Sequence, residues 1–193
     1  MNGRWHFIKF NTPFSSNEIR IRQNEAYNYL PRLRRLIEMA KNYEPVTGGC
    51  FCGAVRYEAE ANLHEAYYCH CRSCQKLSGS PAVVAVLVKP GTLNFTQEEP
   101  KYFQTSPFAK EGFCPNCGSR LSYISPEHED WNGISVGSLD QPERAMPCEH
   151  ICVESQVPWY KLDDNLPRSR AEDYPELPEA WSKHGLSPDG QPL

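Results

Sequence analysis

A mostly β domain, with a helical extension before it and a Pro-rich tail after it, is expected from this chain on three observations. Residues 54–61, AVRYEAEA, alternate Val55, Tyr57 and Ala59 with Arg56, Glu58 and Glu60, the period of a half-exposed strand. Residues 82–88, AVVAVLV, are continuously apolar, as a strand buried on both faces reads. The runs TLNFTQ, KYFQTS, SRLSYIS, GISVGSL and HICVES are separated by Gly, Pro, Asn and Asp, and repeated short strands between turn residues predict an all-β or mostly β domain.

In chain order, residues 1–42 come first and read as helical. Ser15 with Glu18 makes a capping box, Pro31 interrupts the helix, and Leu33, Leu36, Ile37 and Ala40 then follow helical spacing between Arg32, Arg34, Arg35 and Glu38. This predicts an amphipathic helix packed on the domain or on a second copy, and so a route to a homo-oligomer. The alternatives are an organelle-targeting segment or an overlong start, with Met39 opening the natural chain. Residues 43–168 are read as a single domain, which suits a chain of 193 residues. Residues 169–193 are read as a polar, Pro-rich tail that wraps the surface or frays.

Charge and hydropathy narrow the function classes. Residues 1–41 carry a net of +5 and the remainder a net of −9. The cysteine-bearing part is therefore acidic, which disfavours a nucleic-acid role. No run approaches the roughly 20 apolar residues of a membrane span, and the opening residues lack the apolar core of an export signal. A cytoplasmic, reducing setting is expected, and there the nine cysteines more often bind metal or react than form disulfides.

The cysteines fall in clusters: Cys50-Phe-Cys52-Gly, Cys69-His-Cys71-Arg-Ser-Cys74, and Cys114-Pro-Asn-Cys117-Gly. In the last, proline and glycine shape a tight turn that aims two thiolates at one ion. Seven clustered thiols divide into a closed set of four (Cys50, Cys52, Cys114, Cys117) and an open set of three (Cys69, Cys71, Cys74). Structural zinc is usually closed, whereas catalytic zinc keeps a position for water or substrate. His70 or His64 could close the trio, although His70 lies between two ligands and should point away from an ion that both neighbours face. The competing reading is a scaffold with one zinc and spare thiols. Cys148 and Cys152, four apart on an expected strand, are assigned to packing.

A zinc with three thiolates is already anionic, which weakens its pull on water and turns attention to thiol chemistry with an electrophile such as an aldehyde. Arg72 and Lys76 are candidates to hold the carboxylates of a small thiol, and Ser78 or Ser80 to hydrogen-bond it.

GGCFCGAVRYE, CHCRSCQKLSGSP, FCPNCGSRL, VGSLDQP and HICVESQVPWYKLDDNLP, in that order over about residues 47–168, resemble the glutathione-dependent formaldehyde-activating enzyme family, also called the centromere-protein-V type domain. The resemblance implies a complex β fold built around zinc ribbons. It implies two Zn2+ per chain, a structural one on Cys50, Cys52, Cys114 and Cys117 and a catalytic one on Cys69, Cys71 and Cys74. The implied activity is that of a carbon-sulfur lyase condensing formaldehyde with glutathione to S-hydroxymethylglutathione. A non-catalytic zinc-ribbon interaction module and a thiol redox sensor are the alternatives. Cys148 and Cys152 are not part of the pattern that carries the resemblance.

Overall fold

Residues 42–186 are described by a computed structural model of the chain. The helix expected around Leu33–Ala40, and its capping box, lie outside the described residues.

The mostly β expectation holds, in two sheets. The smaller one contains β1 (Glu44–Gly49), β2 (Arg56–Ala61) and β5 (Asn94–Phe95) in the order β1-β2-β5. The larger one contains β3 (Ala66–Cys69), β4 (Val83–Leu87), β6 (Lys101–Ser106), β7 (Ala109–Phe113), β8 (Arg120–Ile124), β9 (Gly133–Ser135) and β10 (Pro147–Ile151), ordered β10-β3-β4-β9-β8-β7-β6. Neighbours are antiparallel except β10 and β3, which run parallel with Ile151 opposite Cys69.

The alternation read in β2 buries Val55, Tyr57, Ala59 and Ala61 against Val46, Leu63, Val86, Val88, Leu121 and Ile134. The apolar run at 82–88 becomes β4, in the middle of the larger sheet, where strands flank it on both sides. Three strands escape the sequence pattern, the first being β1, whose EPVTGG mixes Pro and Gly into a strand. β3 is hidden in the cysteine cluster, and β7, AKEGF, carries Lys110 and the buried Glu111 where a half-exposed strand would alternate simply.

The tail contains a helix that its composition did not suggest. Residues 171–173 form a 3-10 turn, and α2 (Glu176–Lys183) follows. Pro175 caps α2 and Pro178 sits in its first turn, where a missing N–H breaks no helical hydrogen bond. α2 buries Ala180 and sets Trp181 edge-on to Phe108 with ring centres 4.8 Å apart. A Pro-rich stretch thus begins a docked helix rather than a frayed end. No helix among the described residues is long and apolar enough to cross a membrane.

Candidate metal centres

The β1–β2 turn and the β7–β8 turn carry the two pairs of the closed set. Both turns use glycine in the left-handed region, Gly53 at φ +80° and Gly118 at φ +76°, where a side chain would be strained. The sulfurs of Cys50, Cys52, Cys114 and Cys117 all lie within 4.8 Å of one another, with Cys50–Cys52 at 3.5 Å and Cys52–Cys114 at 3.7 Å. Four sulfurs about 2.3 Å from a tetrahedral zinc would stand about 3.8 Å apart, so the set fits that ion. The Val55 N–H points at Cys50 Sγ at 3.2 Å, favouring a thiolate there. The Ser119 hydroxyl and N–H hold Cys117 at about 5. Cys52, although an Ala54 N–H favours its thiolate, is pushed up to about 12, chiefly by the Cys50 sulfur. The four cannot all ionise unaided, and a divalent cation is the group that resolves this conflict.

The open set lies at the end of β3. Cys69 is the last residue of that strand, and the chain then turns into α1 (Arg72–Ser78), whose N-cap is Cys71 and whose second residue after Arg72 is Cys74. The sequence reading did not include this helix. It closes the claw by placing the Cys74 N–H 3.3 Å from Cys71 Sγ, and it ends in a left-handed turn at Gly79. The three sulfurs lie within 4.8 Å of one another, and no His, Asp or Glu among the described residues joins them. Cys71 is held at about 3 by hydrogen bonds from Cys69 first and then Cys74. Cys69 is pushed far up, first by its hydrogen bond with Cys152 and then by Cys71. Cys74 is pushed up by Cys69 and Cys71. One thiolate is stabilised and the next two are opposed, the signature of donors assembled for a cation.

Neither histidine named above joins the trio. His64 is exposed, 3.5 Å from Glu44. His70 points away from the sulfurs into a chain of two fully buried imidazoles and a partly exposed carboxylate, its Nε2 2.8 Å from His150 Nδ1, while His150 Nε2 lies 2.9 Å from Asp164 Oδ2. A carboxylate accepts from His150 Nε2–H, which leaves Nδ1 to accept from His70 Nε2–H. The backbone adds to this: the His70 N–H donates to Ile151 O at 3.1 Å, and Gln75 Nε2 donates to His70 O and Ser155 O. The peptide carrying Cys69 to Cys71 is therefore fixed from β10 and the loop after it.

The sheet face bearing Cys69 also bears Tyr67, opposite Ala85, which is opposite Ser135. Ser135 Oγ accepts from Arg120 Nη1 at 2.7 Å, and Arg120 Nη2 pairs with Glu111 at 2.8 Å, both side chains largely buried. Burial pushes the Glu111 carboxyl up despite Arg120 beside it, and burial likewise raises the phenols of Tyr67 and Tyr123. None of these residues was singled out in the sequence. Arg120 directly follows FCPNCGS, but its partner Glu111 is found only once β7 and β8 pair.

Beside α1 lies an open groove of about 280 Å3 walled by Arg72, Gln75, Lys76, Ser80 and Trp159. It unites three of the four residues proposed to contact a small thiol. Ser78 is not in its wall: its hydroxyl donates to Cys74 O at 2.7 Å and accepts from Ser80 N–H at 3.2 Å, capping its own helix. Ser80 donates to Ala82 O at 2.8 Å, which leaves its oxygen free to accept. Arg72 hydrogen-bonds Gln75, and Trp159 is exposed.

Cys152 is buried in packing, as expected, but not from a strand face. It lies beyond the end of β10 at φ +57°, so it does not share a strand face with Cys148. It is buried in one cluster with Cys69, Cys71, Cys74 and Tyr67.

A curated relative, an uncharacterized lyase of Schizosaccharomyces pombe, is 29% identical over 113 residues, 58% of this chain and 82% of the relative. A crystal structure of a Rhodobacter sphaeroides protein, 19% identical, superposes with a TM-score of 0.42 over 64% of this chain and 98% of that one. The family model of the glutathione-dependent formaldehyde-activating enzyme matches residues 45–155, which hold both cysteine sets and the whole of the larger sheet, and this chain belongs to that family.

Proposed function

We propose that the protein is a zinc-dependent carbon-sulfur lyase of the S-hydroxymethylglutathione synthase type, working on the adduct of a small thiol such as glutathione with an aldehyde. The observation that carries this reading is the groove of Arg72, Lys76, Ser80 and Trp159 running along the helix that supplies Cys74 to the open trio. When bound, zinc at Cys69, Cys71 and Cys74 supplies Lewis acidity and a soft site for sulfur.

The chain's own residues do the rest. Arg72 and Lys76 hold the carboxylates of the thiol. Trp159 covers its peptide portion and screens the site from water. The thiol is thereby held with its sulfur toward the trio, which converts an encounter in solution into an oriented one. The thiol sulfur adds to the aldehyde carbon, the carbonyl electron pair moves to oxygen, which takes up a proton, and the thiol proton leaves to solvent. No electrons are exchanged with a third partner. Tyr67 and Tyr123, protonated at neutral pH as phenols are and raised further by burial, are assigned as donors to the developing oxygen charge.

The test is exchange spectroscopy of glutathione with formaldehyde at equilibrium, run beside elemental analysis of the protein. Two zincs per chain, one of them lost in Cys71→Ser together with the enhancement of exchange, is the expected result. Protein that holds both zincs yet neither binds glutathione nor alters adduct formation or breakdown with any aldehyde tested would sink the reading.

A further inference from the structure

The open trio has a fourth thiol beside it. Cys152 lies in the same small buried cluster as Cys69, packed with Ala171. It is outside the set of mutually close sulfurs that can share one ion, so it is not a fourth ligand. Pairing of β10 with β3 places Ile151 opposite Cys69, and the left-handed turn at Cys152 then carries its side chain to that cysteine. A residue other than glycine in this region is uncommon and is tolerated only where its surroundings hold it there. None of Cys69, Cys71, Cys74 and Cys152 is in a disulfide.

We propose that Cys69 and Cys152 form an oxidative modification site, where a hydroperoxide links them as a disulfide and thereby removes one of the three ligands from the open centre. The proposal rests on the zinc reading of the trio. While Cys69, Cys71 and Cys74 are engaged with an ion, Cys152 is the thiol of this cluster that stays available to resolve an oxidised neighbour. The Cys69 sulfur attacks hydrogen peroxide, gaining oxygen as a sulfenic acid and releasing hydroxide. The Cys152 sulfur then attacks the Cys69 sulfur, forming the S–S bond and expelling the oxygen as water. Two thiols lose two hydrogens in all, and one peroxide is reduced to two waters. Two thiolates remain for the ion, too few for a stable site of this kind, and it departs. Cys71 and Cys74 are partly exposed, which gives a molecule the size of peroxide a path to the cluster. Reduction of the disulfide by a small thiol restores the ligand set.

The experiment treats the zinc-loaded full-length protein with hydrogen peroxide and reads released zinc with a chromogenic chelator. Non-reducing peptide mass mapping reads the cross-links. The expected result is release of one zinc together with a Cys69–Cys152 linked peptide, both reversed by reductant and added zinc. Cys152→Ser, and Cys152→Asn, which suits a left-handed backbone, should slow release about tenfold because the sulfenic acid then lacks its resolving thiol. A Cys71–Cys74 disulfide in the wild type, or release as fast in both variants, overturns the proposal. So does a Cys69–Cys152 link confined to chelator-stripped protein, because the bond would then follow metal loss rather than cause it. A purified protein with zinc only at the four-cysteine set would instead overturn the zinc reading itself, a result visible before any oxidant is added.

Discussion

Replacing both exposed ligands of the closed set, Cys52→Ala with Cys117→Ala, isolates what its metal contributes to the fold. Both side chains are exposed, so little packing is lost with them. The buried pair that remains, Cys50 and Cys114, supplies only two thiolates. An ion bridging these turns joins positions as far apart as Cys52 and Cys114, 62 residues. Treating it as a cross-link, the chain-entropy relation for a loop of that length gives about 4 kcal/mol, a large share of the 5–15 kcal/mol typical of a domain. Urea unfolding of zinc-loaded protein should show the double variant less stable by about this amount, with the midpoint moved and the slope kept. After exhaustive chelation, wild type and variant should unfold together. An equal loss in the loaded and stripped proteins, or a loss below about 1 kcal/mol in the loaded one, would refute the idea that an ion ties these turns.

Arg120→Met should cost about 3–5 kcal/mol at pH 8, because it leaves the buried Glu111 carboxylate without its partner. Glu111 is already raised by burial, and a raised folded-state value means the ionised form opposes folding. The penalty should therefore shrink as pH falls and Glu111 protonates, and a penalty unchanged between pH 8 and pH 5 would count against the pair. Asp140 is held low by hydrogen bonds from Arg56 and Thr47, so its stabilisation is present above the unfolded-state value and is lost as pH falls through the folded one. Asp140→Asn should lower stability at pH 7 by less than about 1 kcal/mol, since the pair is partly exposed, and should match wild type near pH 2 in urea titrations. His150→Phe should leave His70 Nε2–H without its acceptor, cost about 1–3 kcal/mol, and weaken zinc at the trio about 10- to 100-fold in chelator competition. Arg72→Ala with Lys76→Ala should raise KM for glutathione with zinc content and kcat nearly unchanged, and a fall in kcat alone would remove them from binding.

Both cysteine sets were legible in the sequence because their chemistry is local or punctuated. The trio spans six positions, and each pair of the closed set announces its turn with a following glycine. The strands with simple alternation or a long apolar run were legible for the same reason. What surrounds the trio was not. Glu111 and Arg120 meet only through the β7–β8 pairing, and a charged residue in AKEGF argues locally against a buried strand. His70 and His150 are 80 positions apart and meet through the parallel β3–β10 pairing, which periodicity cannot foresee. α1 is seven residues long, too short for the helical period to show. The backbone at Cys152 was misread because the expected strand was extended past Ile151, where a left-handed turn ends it.

The separation of the two pairs of the closed set also sets an order of assembly. At about 5–20 residues per second, the chain emerging after Cys52 needs about 3–12 s before Cys114 follows. The trio, complete within six positions, is synthesised during that wait. For those seconds Cys50 and Cys52 lack the knuckle that completes their set, while Cys69, Cys71 and Cys74 already have one another. The buried His70–His150 link comes later still. If both sets take an ion, the trio is complete and able to bind before the four-cysteine set exists, so the open centre is the first of the two that a metal can fill.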